Sequence, residues 1–344
     1  MLYKNESVIA LLKEIELQKN YLEDEIVETL YFGGGTPSLL TIEDVRSLIE
    51  KIRQHFTIAQ KPEITLEANP DDITEEKLIA WKEAGINRLS IGVQSFFDED
   101  LKWMNRAHDT KQAMDSLQLA ARHFDNITID LIYGTPQLSN ERWKQNVEKA
   151  ISFNIPHLSC YALTVEQKTP LFKMIRGHQS EDVDPDKQSE QFLLLMQWMK
   201  EAGYEHYEIS NFAKPGSRSQ HNSSYWQGKK YLGIGPSAHS FNGTSRQWNI
   251  ANNTIYIDNI NKRIIPFEKE ELNATKQLNE YIMTSLRTME GLNLGKIDTA
   301  ASHKIQAISK KYINSGLMKL IDDHLILTNE GKLLADGIAA TLFF

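Results

Sequence analysis

The stretch LYFGGGTPSLL, residues Leu30–Leu40, gives the first indication of the fold. A short run of strand-forming residues leads directly into three consecutive glycines and a Thr-Pro pair. Three glycines cost backbone entropy on folding, so this position needs either a tight turn or backbone that a ligand approaches closely. The stretch is not a P-loop, because no Gly-Lys-Ser/Thr follows, and its spacing does not match the dinucleotide-binding fingerprint.

Further strand-forming runs follow along the chain, separated by amphipathic segments at intervals of about 25 to 45 residues. The runs are ETLYF (28–32), EITLEA (63–68), RLSIGVQ (88–94), NITIDLIYG (126–134), HLSCYALTV (157–165) and YEHYEIS (204–210). Alternation of strands and helices predicts parallel βα units. Six such units favour a closed or nearly closed (β/α) barrel, with a doubly wound sheet as the alternative.

The intervening segments carry recognisable helix ends. Thr41 precedes one apolar-periodic segment and Asp44 lies three residues further on, which predicts a capped helix start. A second predicted helix begins after Thr74 and ends at Gly85. The chain itself opens on a predicted helix, Glu6–Leu22, with no strand before it. We therefore predict an α/β fold in which residues 1–252 form a partial (β/α), TIM-like barrel missing its first strand.

The pattern changes in residues 253–344. Two predicted helices are followed by two short strands around Asp322 and Asp323, and then by a last helix. This order is typical of a small helical domain that resembles a winged helix. Because the segment has no strong Lys/Arg excess, we expect it to pack or to bind a partner protein rather than DNA.

Composition restricts the class of protein. The 344-residue chain carries a formal net charge of −8, which argues against nucleic acid as a partner. No apolar run approaches the roughly 20 residues of a membrane-spanning helix, and the start does not match a signal peptide. These features predict a cytoplasmic protein without a transmembrane segment, leaving peripheral membrane contact open. The one cysteine, Cys160, lies in a predicted strand and is expected to be buried.

Polar residues lie at the end of each early strand, where parallel barrels place their chemistry. The glycine turn follows the first strand, Glu67 and Asn69 end the second, Gln94 ends the third, and Asp130 lies on the fourth. Each of these residues alone is more often structural or solvated. Their coincidence at successive strand ends predicts a site for a small zwitterion or carboxylate.

Four stretches together resemble one known family. YFGGGTPSLL, LEANPDDIT, RLSIGVQSFFDEDLKWMNRAHD and IDLIYGTPQ are similar, in order and spacing, to the radical S-adenosylmethionine (SAM) family of oxygen-independent coproporphyrinogen III oxidases and the related haem chaperones of the HemW type. The resemblance covers most of the chain. It implies a partial (β/α) barrel followed by a small helical or winged C-terminal domain.

The resemblance also implies a set of SAM-binding residues. These are the backbone of Gly34, Gly35 and Thr36 for the methionyl amino end, Glu67 for the ribose hydroxyls, Arg106 for the methionyl carboxylate, Gln94 and Asp130 for further polar contacts, and Ala162 for the adenine side. A carboxylate is an acceptor-only group suited to hydroxyls, and a guanidinium pairs well with a carboxylate. On this interpretation the glycines allow the backbone to approach the cofactor.

The family's defining motif, C-x-x-x-C-x-x-C, does not occur in this sequence. In the family its three thiolates hold a [4Fe–4S] cluster in the loop after the first strand, the strand that we expect to be missing here. A single cysteine cannot anchor such a cluster. We interpret this as an N-terminal truncation, with natural loss of the cluster as the alternative. In either case the chain should not assemble the cluster or perform radical chemistry.

Two further motifs bear on haem. HNSSYW (221–226) is similar to an H-N-x-x-Y-W pattern of the chaperone group, and GIGPSAHS (233–240) is close to its glycine-rich companion, with Pro236-Ser237 departing from the usual glycine there. His221 is the first candidate for a haem ligand, because neutral imidazole is a common axial ligand. The alternative is a structural histidine. His239 is a second candidate for the ligand.

Three functions remain open at this point. The first is a haem-binding chaperone that delivers haem to haem proteins. The second is an oxygen-independent coproporphyrinogen III oxidase, which decarboxylates two propionates oxidatively through a SAM radical. The third is an unrelated barrel enzyme, disfavoured because the strand ends carry no Schiff-base lysine and no metal-binding cluster of His and Asp.

Overall fold

The computed structural model describes residues 4–167 and 169–344. The strands are β1 (Val27–Phe32), β2 (Ile58–Ala68), β3 (Arg88–Gln94), β4 (Ile127–Tyr133), β5 (His157–Ala162), β6 (Glu205–Glu208), β7 (Asn211–Ala213), β8 (His239–Phe241), β9 (Ser245–Asn249), β10 (Phe267–Glu271), β11 (Leu292–Asn293), β12 (Met318–Ile321) and β13 (His324–Leu327). The helices are α1 (Lys4–Leu17), α2 (Ile42–His55), α3 (Glu75–Ala84), α4 (Asp98–Trp103), α5 (Thr110–His123), α6 (Asn140–Ser152), α7 (Pro170–Arg176), α8 (Pro185–Glu201), α9 (Gln220–Trp226), α10 (Asn253–Asn261), α11 (Ala274–Leu286), α12 (Thr299–Asn314), α13 (Asn329–Lys332) and α14 (Ala335–Thr341). Short 3₁₀ turns cover Pro37–Leu39, Pro70–Asp72 and Leu294–Lys296.

The main sheet has the strand order β1-β2-β3-β4-β5-β7-β6. The first five strands pair in parallel, as the βα alternation predicted. The sixth predicted strand, β6, does not pair with β5, because the short strand β7 lies between them and is antiparallel to both. Since β1 and β6 end the order, the sheet is a curled half-barrel. This confirms the predicted partial (β/α), TIM-like barrel, and the barrel is open rather than closed.

Local signals place the helices as predicted. Thr41 caps α2 in a capping box with Asp44, in which each side chain accepts from the other residue's backbone N–H. Thr74 caps α3, and Gly85 ends it in the left-handed conformation that glycine adopts without strain. The opening helix α1 ends at Leu17, earlier than the predicted Leu22.

The two faces of the curled sheet differ in chemistry. The outward residues are apolar and pack against the helices, with Trp81 of α3 and Trp143 of α6 among the largest fully buried side chains. The inward residues alternate with them and are polar, as on β2, where Thr65 and Glu67 flank the buried Leu66. The apolar core therefore lies between the outer face of the sheet and the helices, and the barrel interior is left for polar groups.

A second apolar core holds the C-terminal helices and hairpin together. It is centred on residues such as Ile282, Ile305 and Leu325, and strands β11, β13 and β12 form its small sheet. The two helices and the hairpin predicted from the sequence are present, and the predicted last helix is divided into α13 and α14. A division of the chain at residue 252 remains a prediction, and strands β9 and β10 pair across that position. Within the described residues, no helix combines the length and apolarity that crossing a membrane requires.

Candidate cofactor-binding site

The glycine turn that follows β1 is built around Glu67 of β2. The Glu67 carboxylate accepts from the Tyr31 hydroxyl at 2.7 Å and from the Gly34 backbone N–H at 3.2 Å. A Cβ on Gly33 would lie 2.5 Å from Tyr31 Cε1, so that position excludes a side chain. Gly34 and Gly35 have φ values of +73° and +83°, and a Cβ on either would meet nothing within 4 Å. The turn thus presents accessible backbone beside a carboxylate.

Arg106 lies at the end of β3, among groups of the neighbouring loops. Its Nη2 donates to Asn69 Oδ1 at 3.0 Å and lies 3.5 Å from the Gly92 carbonyl oxygen. An added Cβ on Gly92 would meet Gln94 Nε2 at 2.9 Å and Arg106 Nη2 at 3.4 Å, which brings Gln94 into the same group. Gln94 itself has a φ of +66°, outside extended strand geometry. This bend at the strand end places its amide beside the guanidinium.

Polar residues also enclose a cavity of about 90 Å³ inside the half-barrel. Its wall includes Tyr31, Glu67, Arg88, Asp130 and Ser159. Arg88 is 2% exposed and is held by Asn126 at 2.5 Å, by Thr128, and by Glu63 at 3.8 Å. Burial lowers the pKa of this guanidinium, which the Glu63 carboxylate partly offsets. This cavity, called the chamber below, is therefore lined by charged and hydrogen-bonded side chains. It lies next to the strand-end residues around Glu67 and Arg106, which are called the rim.

Asp130, in the wall of this chamber, has a pKa near neutral pH. Its enclosure raises its pKa to about 7, and the negative charge of Glu67 contributes in the same direction. A hydrogen bond with Ser159 and the nearby charge of Arg106 oppose the rise. Asp130 is therefore partly protonated near pH 7, whereas an ordinary surface aspartate is ionised there.

The other two residues predicted for the site lie at its edges. Thr36 immediately precedes the 3₁₀ turn Pro37–Leu39, and its side chain makes no capping hydrogen bond there. Ala162 ends β5 and pairs in register with Tyr133 of β4. The structure thus brings Gly34 into contact with Glu67, gathers Gln94 around Arg106, and sets Asp130 in the chamber beneath Glu67. The ligand roles of these residues remain predictions.

His221, on α9, is half-buried against β1. Its ring is stacked on that of Tyr31, Nδ1 lies 2.9 Å from the Thr29 hydroxyl, and Nε2 lies 3.0 Å from the Tyr225 hydroxyl. Glu63 accepts from the His221 backbone N–H at 3.0 Å at the start of the same helix. Burial lowers the pKa of His221 to about 4, so the ring is neutral near pH 7. Both ring nitrogens already have partners in the protein.

Several residues of the chamber were not identified from the sequence. Tyr31, Arg88 and Ser159 lie on strands whose positions were predicted, but their polar character was not used. The available signal was the alternation itself. On β3, for example, Arg88 and Ser90 alternate with the buried Leu89 and Ile91, which indicates a polar inner face.

The residues at the rim fit one of the two groups that the resemblance implies, SAM, and not the other. An open glycine turn, an acceptor carboxylate and a guanidinium fit a zwitterionic ligand that carries a ribose. A [4Fe–4S] cluster does not fit this chain. Cys160 is its one cysteine, it is 2% exposed as predicted, and burial raises the pKa of its thiol. Within residues 4–167 and 169–344, no three His, Cys, Asp or Glu side chains are grouped to hold a metal ion.

Comparison with known proteins gives consistent matches. Residues 4–161 match the model of the Radical SAM superfamily. The chain is 33% identical to the heme chaperone HemW of Mycobacterium tuberculosis (strain CDC 1551 / Oshkosh), over 97% of this chain and 85% of that protein. It is 32% identical to the heme chaperone HemW of Bacillus subtilis (strain 168), over 91% of this chain and 84% of that protein. The solved structure of coproporphyrinogen III oxidase (HemN) from Escherichia coli superposes with a TM-score of 0.83 at 22% identity, over 99% of this chain and 83% of that chain, which indicates a shared fold.

Proposed function

Because the chain belongs to the HemW family of the radical SAM superfamily, we propose that it binds haem and delivers it to haem proteins. The observation that carries this proposal is the identity with heme chaperones over nearly the whole chain. The likeness to HemN is a likeness of fold alone and does not favour the oxidase. A cytoplasmic location and a haem-accepting partner protein are parts of the same proposal.

We further propose that the strand-end rim binds SAM. Backbone groups of Gly34, Gly35 and Thr36 take the methionyl amino end, Arg106 pairs with the methionyl carboxylate, and Glu67 accepts from the ribose hydroxyls. Glu67 has the capacity for this, because an ionised carboxylate has about four acceptor sites and two are used by Tyr31 and Gly34.

The remaining contacts of the proposed site are polar and steric. Gln94 and Asp130 add hydrogen-bonding groups, and Ala162 leaves room for the adenine because its side chain is a single methyl. Bound SAM would supply an activated sulfonium. Its reductive cleavage in the superfamily uses an electron from the cluster, and this chain lacks the thiolates for one, so we derive no radical step for it.

The proposal is tested by titrating the chain with haemin and, separately, with SAM. We expect saturable haem binding with a stoichiometric Soret band, and SAM binding detectable by calorimetry. We also expect no consumption of coproporphyrinogen III when it is incubated with SAM and a reductant. Absence of saturable haem binding would remove the chaperone proposal, and conversion of the porphyrinogen would favour the oxidase.

A further inference from the structure

A second, larger pocket lies outside the half-barrel, against the sheet β10-β9-β8. Its volume is about 550 Å³, within the range of small-molecule and cofactor sites. The wall is formed mainly by His239, Trp248, Ile250, Pro266, Phe267 and Glu268. Phe267 and Ile250 remain 43% and 37% exposed, so apolar surface faces solvent here without a cover from the described chain. An open, mainly apolar pocket with a few polar groups at its edge is the usual form of a small-molecule site.

His239 gives the pocket a chemically distinct group. Its side chain is exposed, and its ring is stacked on that of Trp248 with 6.2 Å between centroids and 29° between planes. The two residues are direct partners in the antiparallel register of β8 and β9. In the part of the chain that the structure describes, no hydrogen bond occupies either ring nitrogen of His239. A lone pair is therefore available on an imidazole at the edge of an apolar pocket.

Both ring nitrogens of His221, unlike those of His239 within the described residues, already make hydrogen bonds. Coordination of a metal by His221 would break at least one of its two hydrogen bonds and disturb its stack on Tyr31. Neutral hydrogen bonds contribute about 0.5–1.5 kcal/mol each, and an aromatic stack adds a comparable amount. His239 would lose only its outward contact with water. On geometry alone, His239 is the more accessible ligand.

The floor of the pocket is held rigidly by a buried carboxylate. Glu14 of α1 is fully buried and accepts from the Asn249 side chain at 2.6 Å, from the Gly235 N–H at 2.8 Å and from the Tyr256 hydroxyl. The Ser237 N–H also donates to the Ile250 carbonyl at 3.2 Å. These contacts fix the loop before His239 against β9. The pocket is consequently formed before any ligand arrives, which lowers the entropy that binding must overcome.

We infer that this pocket is the haem site, with His239 Nδ1 or Nε2 as an axial ligand to the iron. The inference rests on the proposed haem-carrying function and adds the place on the protein where haem binds. The porphyrin contacts the apolar rings of Trp248 and Phe267. An axial imidazole stands perpendicular to the porphyrin and the Trp248 ring is within 29° of the His239 ring, so Trp248 meets the porphyrin by its edge. Its propionates extend to solvent on the open side. The Trp248 indole N–H donates to Glu268 at 3.2 Å and holds that carboxylate at the wall.

The test is a haemin titration of the full chain and of His239→Ala, with His303→Ala as the matched control. His303 is an exposed histidine on α12, remote in sequence from the pocket. We expect His239→Ala to lose the spectrum of imidazole-ligated haem and to bind haemin about tenfold more weakly, which corresponds to about 1.4 kcal/mol. His303→Ala and His221→Ala should keep the wild-type spectrum. Added imidazole should restore the spectrum of His239→Ala, which a merely structural role would not allow.

A second variant tests the location of the pocket independently of the axial histidine. Trp248→Ala removes an apolar wall of the pocket but leaves His239 in place, so it should bind haemin more weakly while retaining the spectrum of imidazole-ligated haem. If wild-type protein binds haemin and His239→Ala behaves like His303→Ala, the inference is wrong and the proposed function stands. If His221→Ala alone loses the spectrum, the ligand is His221 and the inference is likewise wrong. If wild-type protein binds no haemin, both fail together.

Discussion

The imidazole of His221 and the phenol ring of Tyr31 lie face to face, with 4.6 Å between their centroids and 16° between their planes. This stack joins α9 to β1, an edge strand of the half-barrel. Thr29, on the same strand, adds a hydrogen bond to a residue 192 positions further along the chain. Helix α9 thus packs against an edge that the open sheet would otherwise leave to solvent.

We predict that His221→Ala lowers the free energy of unfolding by about 2–4 kcal/mol, because it removes two hydrogen bonds and an aromatic stack at once. Urea denaturation measures the change. The exposed His303→Ala should stay within about 0.5 kcal/mol of wild type. Equal stability of the two variants would mean that α9 does not depend on this contact.

Stability should also depend on His221 through pH. The pKa of His221 is lowered to about 4 in the folded protein, below its ordinary value near 6.5. The folded state therefore disfavours the charged ring, and the contribution of the neutral ring is present above about pH 6.5 and is lost as the pH falls toward 4. The stability difference between wild type and His221→Ala, measured by denaturation, should shrink across that interval. A difference independent of pH would contradict the assigned burial.

The effect of Asp130→Asn on the free energy of unfolding should also depend on pH, with the variant more stable than wild type at high pH. The pKa of Asp130 is raised to about 7, so its ionised form destabilises the folded state above that pH. We expect the variant to be about 1–3 kcal/mol more stable than wild type at pH 8, with the advantage shrinking as the pH falls from 7 through the ordinary aspartate pKa of 3.8 and vanishing only below it, where aspartate is neutral in both states. The exposed Asp115→Asn serves as the control and should show no such trend. A gain of equal size at both pH values would point to packing rather than charge.

The rim residues should control SAM affinity. Glu67→Gln and Arg106→Ala each remove a charged hydrogen-bonding partner, so we expect each to weaken SAM binding by about 1–3 kcal/mol in calorimetry. Arg122→Ala, which removes an exposed guanidinium on α5, should leave the affinity unchanged. Circular dichroism would show that the variants remain folded. Wild-type affinity in both rim variants would refute the site.

Ser237→Gly should stabilise the protein. Ser237 has a φ of +61°, a conformation in which a side chain costs about 1–2 kcal/mol, while glycine adds freedom to the unfolded chain. The net expectation is a gain of about 0.5–1 kcal/mol in the free energy of unfolding. Ser315→Gly, at a φ of −86°, removes no strain and should be destabilising. A loss of stability in Ser237→Gly would indicate that its hydroxyl contributes to the loop.

Much of the architecture was predictable because its signals are local. The capping pair Thr41 and Asp44, the stop at Gly85 and the β-prone runs each depend on neighbouring residues, and all of them were found, although β2 begins at Ile58, before the predicted residue 63. Strand β7 was not predicted, because its three residues, Asn211–Ala213, are too few to show a period. Its antiparallel pairing depends on β5, which is far away in sequence.

The candidate site was predictable only in part for the same reason. The strand ends could be read from the sequence, so the glycine turn, Glu67, Gln94 and Asp130 were predicted as a group, whereas Arg106 was predicted only from the resemblance to the family. Their partners could not be, because the contact of Arg106 with Asn69 and that of His221 with Tyr31 join separate elements. The open pocket around His239 was also not predictable, since it depends on how β9 and β10 pair.

The buried carboxylate of Glu14 has a consequence for synthesis on the ribosome. Its partner Tyr256 is 242 residues further along the chain, and Ala10 of the same helix packs with Tyr256 and Ile260. At about 5–20 residues per second, roughly 12–50 s separate the emergence of the helix from that of its cover. Throughout that interval this side of the nascent helix is a target for holding chaperones and proteases, and translation speed becomes a determinant of yield.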